Sequence, residues 1–555
     1  MGSLRGFELS LILCFSLLSF AQELYPEGTP IPRHMTAEEQ EFVERHPIRA
    51  PEGATPPPSG PLYCPAEYEP MESIMLAYDG SSGWLAILDQ MAAAITTTGD
   101  ADVYVMADSI GEETTIRNNM IAAGADPDRI FVLVETTDTI WIRDYGPRYV
   151  FEGDVRVIVD HTYNRPRPND NQIPFLFSQA RGHQHYELPL VHGGGNYHIN
   201  ASGEAHATRL INNENPGLTE QEIHDIWQTY QNVDTTFYTP FPVSVDSTQH
   251  IDMWMQQIAE NAAIISDWPF DQGSTQDQIC DQTTVDLEQK GYNVTRIPAR
   301  SIGGTHYTYT NVVIVNDLVL VPTYTNSQAA QHNDEALQIW RDALPQHTIV
   351  PINCQSIVTA AGVMHCISIH VPKHRGGQNP TAYLKTRLDD VPVLLAGQQV
   401  PLQWISDDDV GVVNVDLMLS IDGGNNFDTV IAQNQSGLGS LNWTVPNVFT
   451  TSALVRLIAS DDDANQGQDT TDTLFMINGP RLCVSDCAPD NGDGTFGDGA
   501  VDNLDLMAVN ARWLTDGYGV YDTAPPLGNQ IYGDGRVNIL DLVQVVTDMG
   551  ACPVL

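Results

Sequence analysis

Apolar positions in the first two thirds of the chain switch between two rhythms. Trp84, Leu85, Ile87, Leu88 and Met91 recur at helical spacing, which predicts a buried helix face. Residues 101–106 and 130–134 are short apolar runs that predict strands. Between them, residues 112–123 predict a helix with Glu112 and Glu113 in its first turn, where acidic side chains meet the positive helix end. Further on, residues 311–315 and 318–321 flank Asn316 and Asp317 and predict a hairpin. Residues 334–344 carry an amphipathic helical pattern. This alternation predicts an α/β domain over 61–375, with its reactive residues at strand ends and loops. After Pro372 the helical rhythm stops. Residues 400–404, 413–421 and 453–458 alternate with period two, with a turn at Gly423 and Gly424. They predict a β-sandwich over 376–480.

The ends differ from both domains. Residues 1–21 read as a secretory signal: Arg5, an apolar stretch over 11–20, then Ser19 and Ala21 at small-residue positions. Residues 22–60 are rich in Pro and Glu, with three prolines at 56–58, and read as an exposed entry segment or pro-region. Residues 481–555 hold a repeated pattern, Gly-Asp-Gly-x-Val-(Asp/Asn)-x-Leu-Asp-Leu, at 497–506 and again at 533–542.

Composition narrows the function. The formal charge of −46 over 555 residues argues against nucleic acid and anionic membranes as partners. Beyond the signal no apolar stretch is long enough to span a bilayer, so a secreted or cell-surface protein is expected. Eight cysteines occur, and Cys14 leaves with the signal. The other seven leave at least one thiol unpaired in an oxidising compartment, and Cys366 is the candidate. Cys483, Cys487 and Cys552 bracket the tail and could staple it.

Three short stretches carry chemistry: Trp-Ile-Arg-Asp-Tyr-Gly-Pro at 141–147, His-Ile-Asp at 250–252 and Met-His-Cys at 364–366. Among their residues, Asp144, Asp252, His250 and Cys366 supply two carboxylates, an imidazole and a thiol. That set suits attack on a guanidinium carbon: a planar cation wants bidentate acidic partners, a thiolate attacks, and an imidazole moves protons. Each stretch alone has an ordinary structural reading, such as Asp144 pairing with Arg143.

With Tyr-Thr-Asn at 309–311 added, the order and spacing of these stretches resemble the guanidine-modifying superfamily. Within it, residues 61–375 are most similar to secreted bacterial peptidyl-arginine deiminases, with agmatine deiminases as near relatives. The resemblance implies a pentein α/β propeller followed by an immunoglobulin-like sandwich. It implies that Asp144 and Asp252 grip the guanidinium, that His250 is the general acid and base, and that Cys366 is the nucleophile. Asn311 would orient the reacting groups and Trp141 would wall the pocket. No cofactor is implied for catalysis. Asn-Arg-Pro-Arg at 164–167 resembles a stretch whose arginines, here Arg165 and Arg167, bind the carboxylate of a C-terminal arginine. Agmatine deiminases carry Glu-Gly-Gly, where this chain has Gly193, Gly194 and Gly195. The resemblance therefore implies deimination of arginine-containing peptides or proteins, with agmatine as the alternative substrate. A third reading, from another class, is a surface binding protein with a degenerate catalytic domain. The tail resembles a small helical dockerin-like pair of calcium loops, which implies Ca2+ ligands at Asp498, Asp502, Asp505, Asp534, Asn538 and Asp541 and a cohesin-like or cell-surface partner.

Overall fold

The structure is a computed structural model. It describes residues 29–51, 53–388, 393–479, 485, 487–488, 500–516, 521–524, 526–528, 531–533 and 535–551. The expected signal over 1–21, and Cys483, Cys552, Asp498 and Asp534, lie outside the described residues. The chain divides into two compact units, one comprising residues up to 373 except 153–155, the other comprising 153–155 and the remainder.

The first unit is mixed α/β and repeats one motif five times. Each repeat has two strands running antiparallel, or joined by a tight turn, then a helix, then a third strand parallel to the second. Val155–Tyr163 and Gln184–His192 are linked by the helix Ile173–Arg181. Glu204–Thr208 and Asp234–Tyr238 are linked through Glu220–Gln231. Ala262–Asp267 and Asn293–Pro298 follow the same plan through Thr275–Gln289. Leu318–Thr323 and Thr348–Asn353 do so through Asn333–Ala343. In the fifth sheet Met71–Ala77 pairs parallel with Asp102–Ala107, across the helix Ser82–Thr97. Its antiparallel partner, Ile369–Pro372, comes from the far end of the unit. Beginning and end of the domain therefore close on one sheet.

Local sequence explains these elements. Trp84, Ile87, Leu88, Met91 and Ile95 lie on the buried face of Ser82–Thr97. Asp102–Ala107 and Ile130–Val134 form parallel neighbours, as their apolar runs predict. The hairpin turns at Asn316, whose positive φ of 49° suits asparagine. The Asn316 side chain also binds the backbone of Met71 on both its N–H and its C=O, so this turn fastens two sheets.

In the second unit, Thr381–Leu384, Gln399–Asp407 and Gly439–Thr444 form one sheet, and a six-stranded sheet centres on Asn414–Ser420 and Thr450–Ser460. Residues of both sheets, among them Leu402, Trp404, Leu417, Leu457 and Phe475, meet in one apolar core. Among the described residues no helix is long and apolar enough to cross a membrane.

Candidate active site

The reactive residues sit on single turns of helix rather than in irregular loops. Asp144 lies on Ile142–Tyr145, Asp252 on Ile251–Met253 just after His250, and Cys366 on His365–Ile367. Backbone bonds lock these turns together. Gly194 N–H donates to the Asp144 carbonyl (2.9 Å), and Asp252 N–H donates to the Gly195 carbonyl (3.2 Å). Asp144, His250, Asp252, Asn311 and Cys366 are all fully buried.

A guanidinium already occupies their focus, and it belongs to Arg33. Its Nε and Nη2 donate to the two oxygens of Asp144 at 2.8 and 2.7 Å. Nη1 and Nη2 donate to the two oxygens of Asp252 at 3.3 and 3.1 Å. Nη2 lies 2.8 Å from His250 Nδ1, and Nη1 lies 2.5 Å from Cys366 Sγ. All the donors of the fork are thereby engaged. A buried cation is tolerable only with such pairing. Burial would raise the Asp144 carboxyl, but Arg33, then His250, hold it well below the usual carboxylate range. Asp252 behaves alike: burial pushes it up, and Arg33 and His365 bring it below its ordinary value. Burial pushes the Cys366 thiol well up, Arg33 pulls it back, and Asp252 and Asp144 oppose that pull. A guanidinium in this slot is thus the group that favours the thiolate.

Asn311 reaches two of these groups: its Oδ1 lies 3.3 Å from Cys366 Sγ and its Nδ2 donates to the Asp252 carbonyl at 3.1 Å. Trp141 stands edge-on to Trp84 and donates its Nε1–H to the Ile31 carbonyl at 2.8 Å. Arg165 Nε donates to the carbonyl of Arg33 itself at 3.1 Å. Arg167 forks onto Glu39 at 2.8 and 3.3 Å and also reaches the Pro32 carbonyl at 2.8 Å. The expectation of an exposed entry segment is therefore corrected at Arg33 and Glu39, both fully buried.

Sequence reading also missed a supporting chain behind Asp252. His365 Nδ1 bonds Asp252 at 2.9 Å and its Nε2 bonds Glu67 at 3.0 Å, while Arg143 Nη1 donates to Glu67 at 2.5 Å. Arg143 pairs with Glu67, so the ordinary reading of Asp144 as its partner does not hold. Burial would raise Glu67, but Arg143, His365 and His370 hold it well below its usual range. Its folded value is depressed, so its stabilisation is present above the unfolded pKa and is lost as pH falls through the folded one. Glu67→Gln should cost about 3–5 kcal/mol at neutral pH by stranding Arg143. The cost should shrink in acid, as measured by denaturant melts across pH.

Glycines make the slot. A Cβ on Gly195 would collide with Arg33 Nη2 and crowd Asp252 (2.8 Å) and Asp144 (2.9 Å). One on Gly193 would come within 2.8 Å of the His250 ring and 2.9 Å of Asn164 Nδ2. No acidic side chain fits there, in keeping with the departure from Glu-Gly-Gly. The glycine run was visible in the sequence; Glu67 carried no signal of its own, and His365 stood within the Met-His-Cys stretch with nothing to mark it as a partner of Asp252.

The tail's repeats form two helices, Asn503–Ala511 and Ile539–Asp548. Asp502 and Asn538 cap them. Asp505 accepts from the N–H groups of Cys487, Ala488 and Asp502 at 2.6–2.8 Å. Asp541 accepts from those of Thr523, Ala524 and Asn538 at 2.5–2.9 Å. Both carboxylates therefore fasten backbone at the helix starts. Cys64, Cys280 and Cys354 are buried free thiols; Cys366 is the described thiol in contact with a guanidinium nitrogen.

A family model for the Porphyromonas-type peptidyl-arginine deiminase matches residues 63–372. An agmatine deiminase from Ectopseudomonas mendocina is 26% identical over 302 residues, 46% of this chain and 80% of that one. The structure of an agmatine deiminase of Enterococcus faecalis matches with a TM-score of 0.51 at 20% identity, over 59% of this chain and 100% of that one. A Porphyromonas gingivalis protein assigned as an arginine deiminase matches with a TM-score of 0.50 at 19% identity, over 57% and 99%.

Proposed function

The chain belongs to the Porphyromonas-type peptidyl-arginine deiminase family, and from that premise we propose that it hydrolyses the guanidinium of peptide-borne arginine to citrulline and ammonia. As a member of that family it is a hydrolase acting on amidine C–N bonds. The finer reading rests on one observation: the guanidinium in the site is that of an arginine within a polypeptide, and Arg165 grips that arginine's own carbonyl. Agmatine has no carbonyl at that position.

The chemistry follows from the contacts. Asp144 and Asp252 hold the cation flat, and the cation offsets part of the burial that raises the Cys366 thiol. Sγ adds to Cζ, the carbon that bears Nη1 and Nη2. His250 Nδ1 faces Nη2, so Nη2 is the nitrogen protonated for departure as ammonia. Water, deprotonated at the same imidazole, displaces sulfur and leaves the ureido group. A C-terminal arginine would present Arg165 with a full carboxylate in place of a carbonyl, which supports a preference for such ends.

The five repeated sheets support reading the first unit as a pentein propeller, and the shared core of the second supports an immunoglobulin-like sandwich. The signal-like start supports export. Exposed apolar side chains on the tail helices, including Leu504, Met507, Ile539 and Val543, support a cohesin-like or cell-surface partner.

Arg165→Gln tests the substrate assignment. It should raise KM for a peptide ending in arginine by about 10- to 100-fold, the worth of a charge-assisted hydrogen bond, with kcat little changed. Agmatine turnover should not respond. An equal effect on both substrates would remove Arg165 from substrate recognition.

A further inference from the structure

We propose that Arg33 is the enzyme's first substrate: the N-terminal segment seats it in the catalytic slot, is deiminated there by its own chain, and on losing its charge releases the site. The inference rests on the deiminase reading and adds a modification site and a built-in latch to it.

Arg33 is placed as a reactant. Its guanidinium meets both carboxylates, the imidazole and the thiol at once. The backbone around it is held as a bound peptide would be. Arg33 N–H donates to the Ala360 carbonyl at 3.0 Å, and the carbonyls of Ile31, Pro32 and Arg33 accept from Trp141, Arg167 and Arg165. Downstream, Thr36 and Glu39 form a capping box that starts the helix Ala37–Arg45, and Glu39 then takes the Arg167 fork. The segment is fastened on both sides of the reactive side chain, so its tether holds Arg33 at an effective concentration of about a millimolar or more. An external substrate must displace it.

The reaction balances with water alone. The S–H proton passes to His250 as the Sγ–Cζ bond forms; His250 gives it to Nη2, and the Cζ–Nη2 bond breaks with loss of ammonia. Water oxygen then bonds Cζ as the Sγ–Cζ bond breaks; one water proton returns to sulfur through His250 and the other leaves with the ammonia as ammonium. Citrulline at 33 is neutral, so the charge-assisted bonds to Asp144 and Asp252 are lost. Two desolvated carboxylates facing a urea group favour release of the side chain and entry of another cation.

The test is a peptide map of the full chain at position 33, with Cys366→Ser alongside. Near-complete exchange of the guanidine nitrogen for oxygen in the wild type, with intact arginine in Cys366→Ser, is the expected result. Cys366→Ser mixed with a little wild type should keep its arginine, since its own site shields it. Arg33→Lys keeps a cation that cannot be deiminated, so it should turn over an external arginine peptide at least about tenfold more slowly than Arg33→Gln, because the tethered lysine still competes. Unconverted Arg33 in the wild type, or conversion in trans, overturns the inference. If Arg33→Gln still deiminates external peptide in that event, the deiminase reading survives; if it does not, both fail.

Discussion

Cys366→Ser should abolish ammonia release from arginine peptides, with a loss of about 10^4-fold or more, the scale seen when the nucleophile of a covalent hydrolase is removed. Serine preserves size and a hydrogen-bonding hydroxyl at a site where Asn311 Oδ1 lies 3.3 Å from sulfur. A hydroxyl is far harder to ionise than a thiol in a buried site, even beside a guanidinium. The variant should fold and keep the Asp144 and Asp252 grip on Arg33, and with Arg33→Gln added it should bind peptide as tightly as Arg33→Gln alone. Retained turnover would show that Cys366 Sγ does not form the intermediate. A melting transition like that of the wild type would separate loss of chemistry from loss of fold.

The second large effect is energetic coupling between Arg33 and Asp144. Both side chains are completely buried, and they share two hydrogen bonds. Removing one partner strands the other, so in a Cys366→Ser background, where Arg33 stays an arginine, Asp144→Asn or Arg33→Met alone should cost about 3–5 kcal/mol. The double variant should cost clearly less than the sum, because neither charge is left behind. The pH dependence has a definite sign. With the Arg33 guanidinium in place the Asp144 carboxyl is depressed, so its stabilisation is complete above the unfolded value of about 3.9 and is lost as pH falls through the folded value. Without Arg33, two buried carboxylates face each other without the cation, so the pair should bind protons more readily than in the Cys366→Ser parent. Arg33→Met should therefore lose most stability near neutrality, and the gap to that parent should narrow in acid. A gap that does not change with pH would mean that the guanidinium is not what these carboxylates hold.

Much of the site was legible because chemistry leaves residue types in order. Asp144, His250, Asp252, Asn311 and Cys366 do converge, although more than 200 residues of sequence separate the first from the last. Helices such as Ser82–Thr97 and strands such as Ile130–Val134 were legible because burial imposes a period on them. The fivefold sheet motif was not, because it is repeated in connectivity and hydrogen bonding rather than in residue identity. Arg33 was hidden for a different reason. Its segment has the proline and glutamate content of an exposed linker, and nothing local marks one arginine as destined for a buried slot. Glu67 and His365 were missed because a residue that orients another needs only to be near it in space. In the tail, the acidic repeat suggested ligands, and at Asp505 and Asp541 the carboxylates also serve the helix starts.

The central claim is that this is a deiminase of peptide-borne arginine. It is tested most directly by citrulline and ammonia release from Arg33→Gln full-length protein, whose site carries no arginine of its own. Substrates would be a peptide ending in arginine, the same peptide amidated, free arginine and agmatine. The account predicts equimolar citrulline and ammonia, with the highest kcat/KM for the free C-terminal arginine and measurable turnover of the amide. Turnover of agmatine alone, or of none of the four, would contradict it.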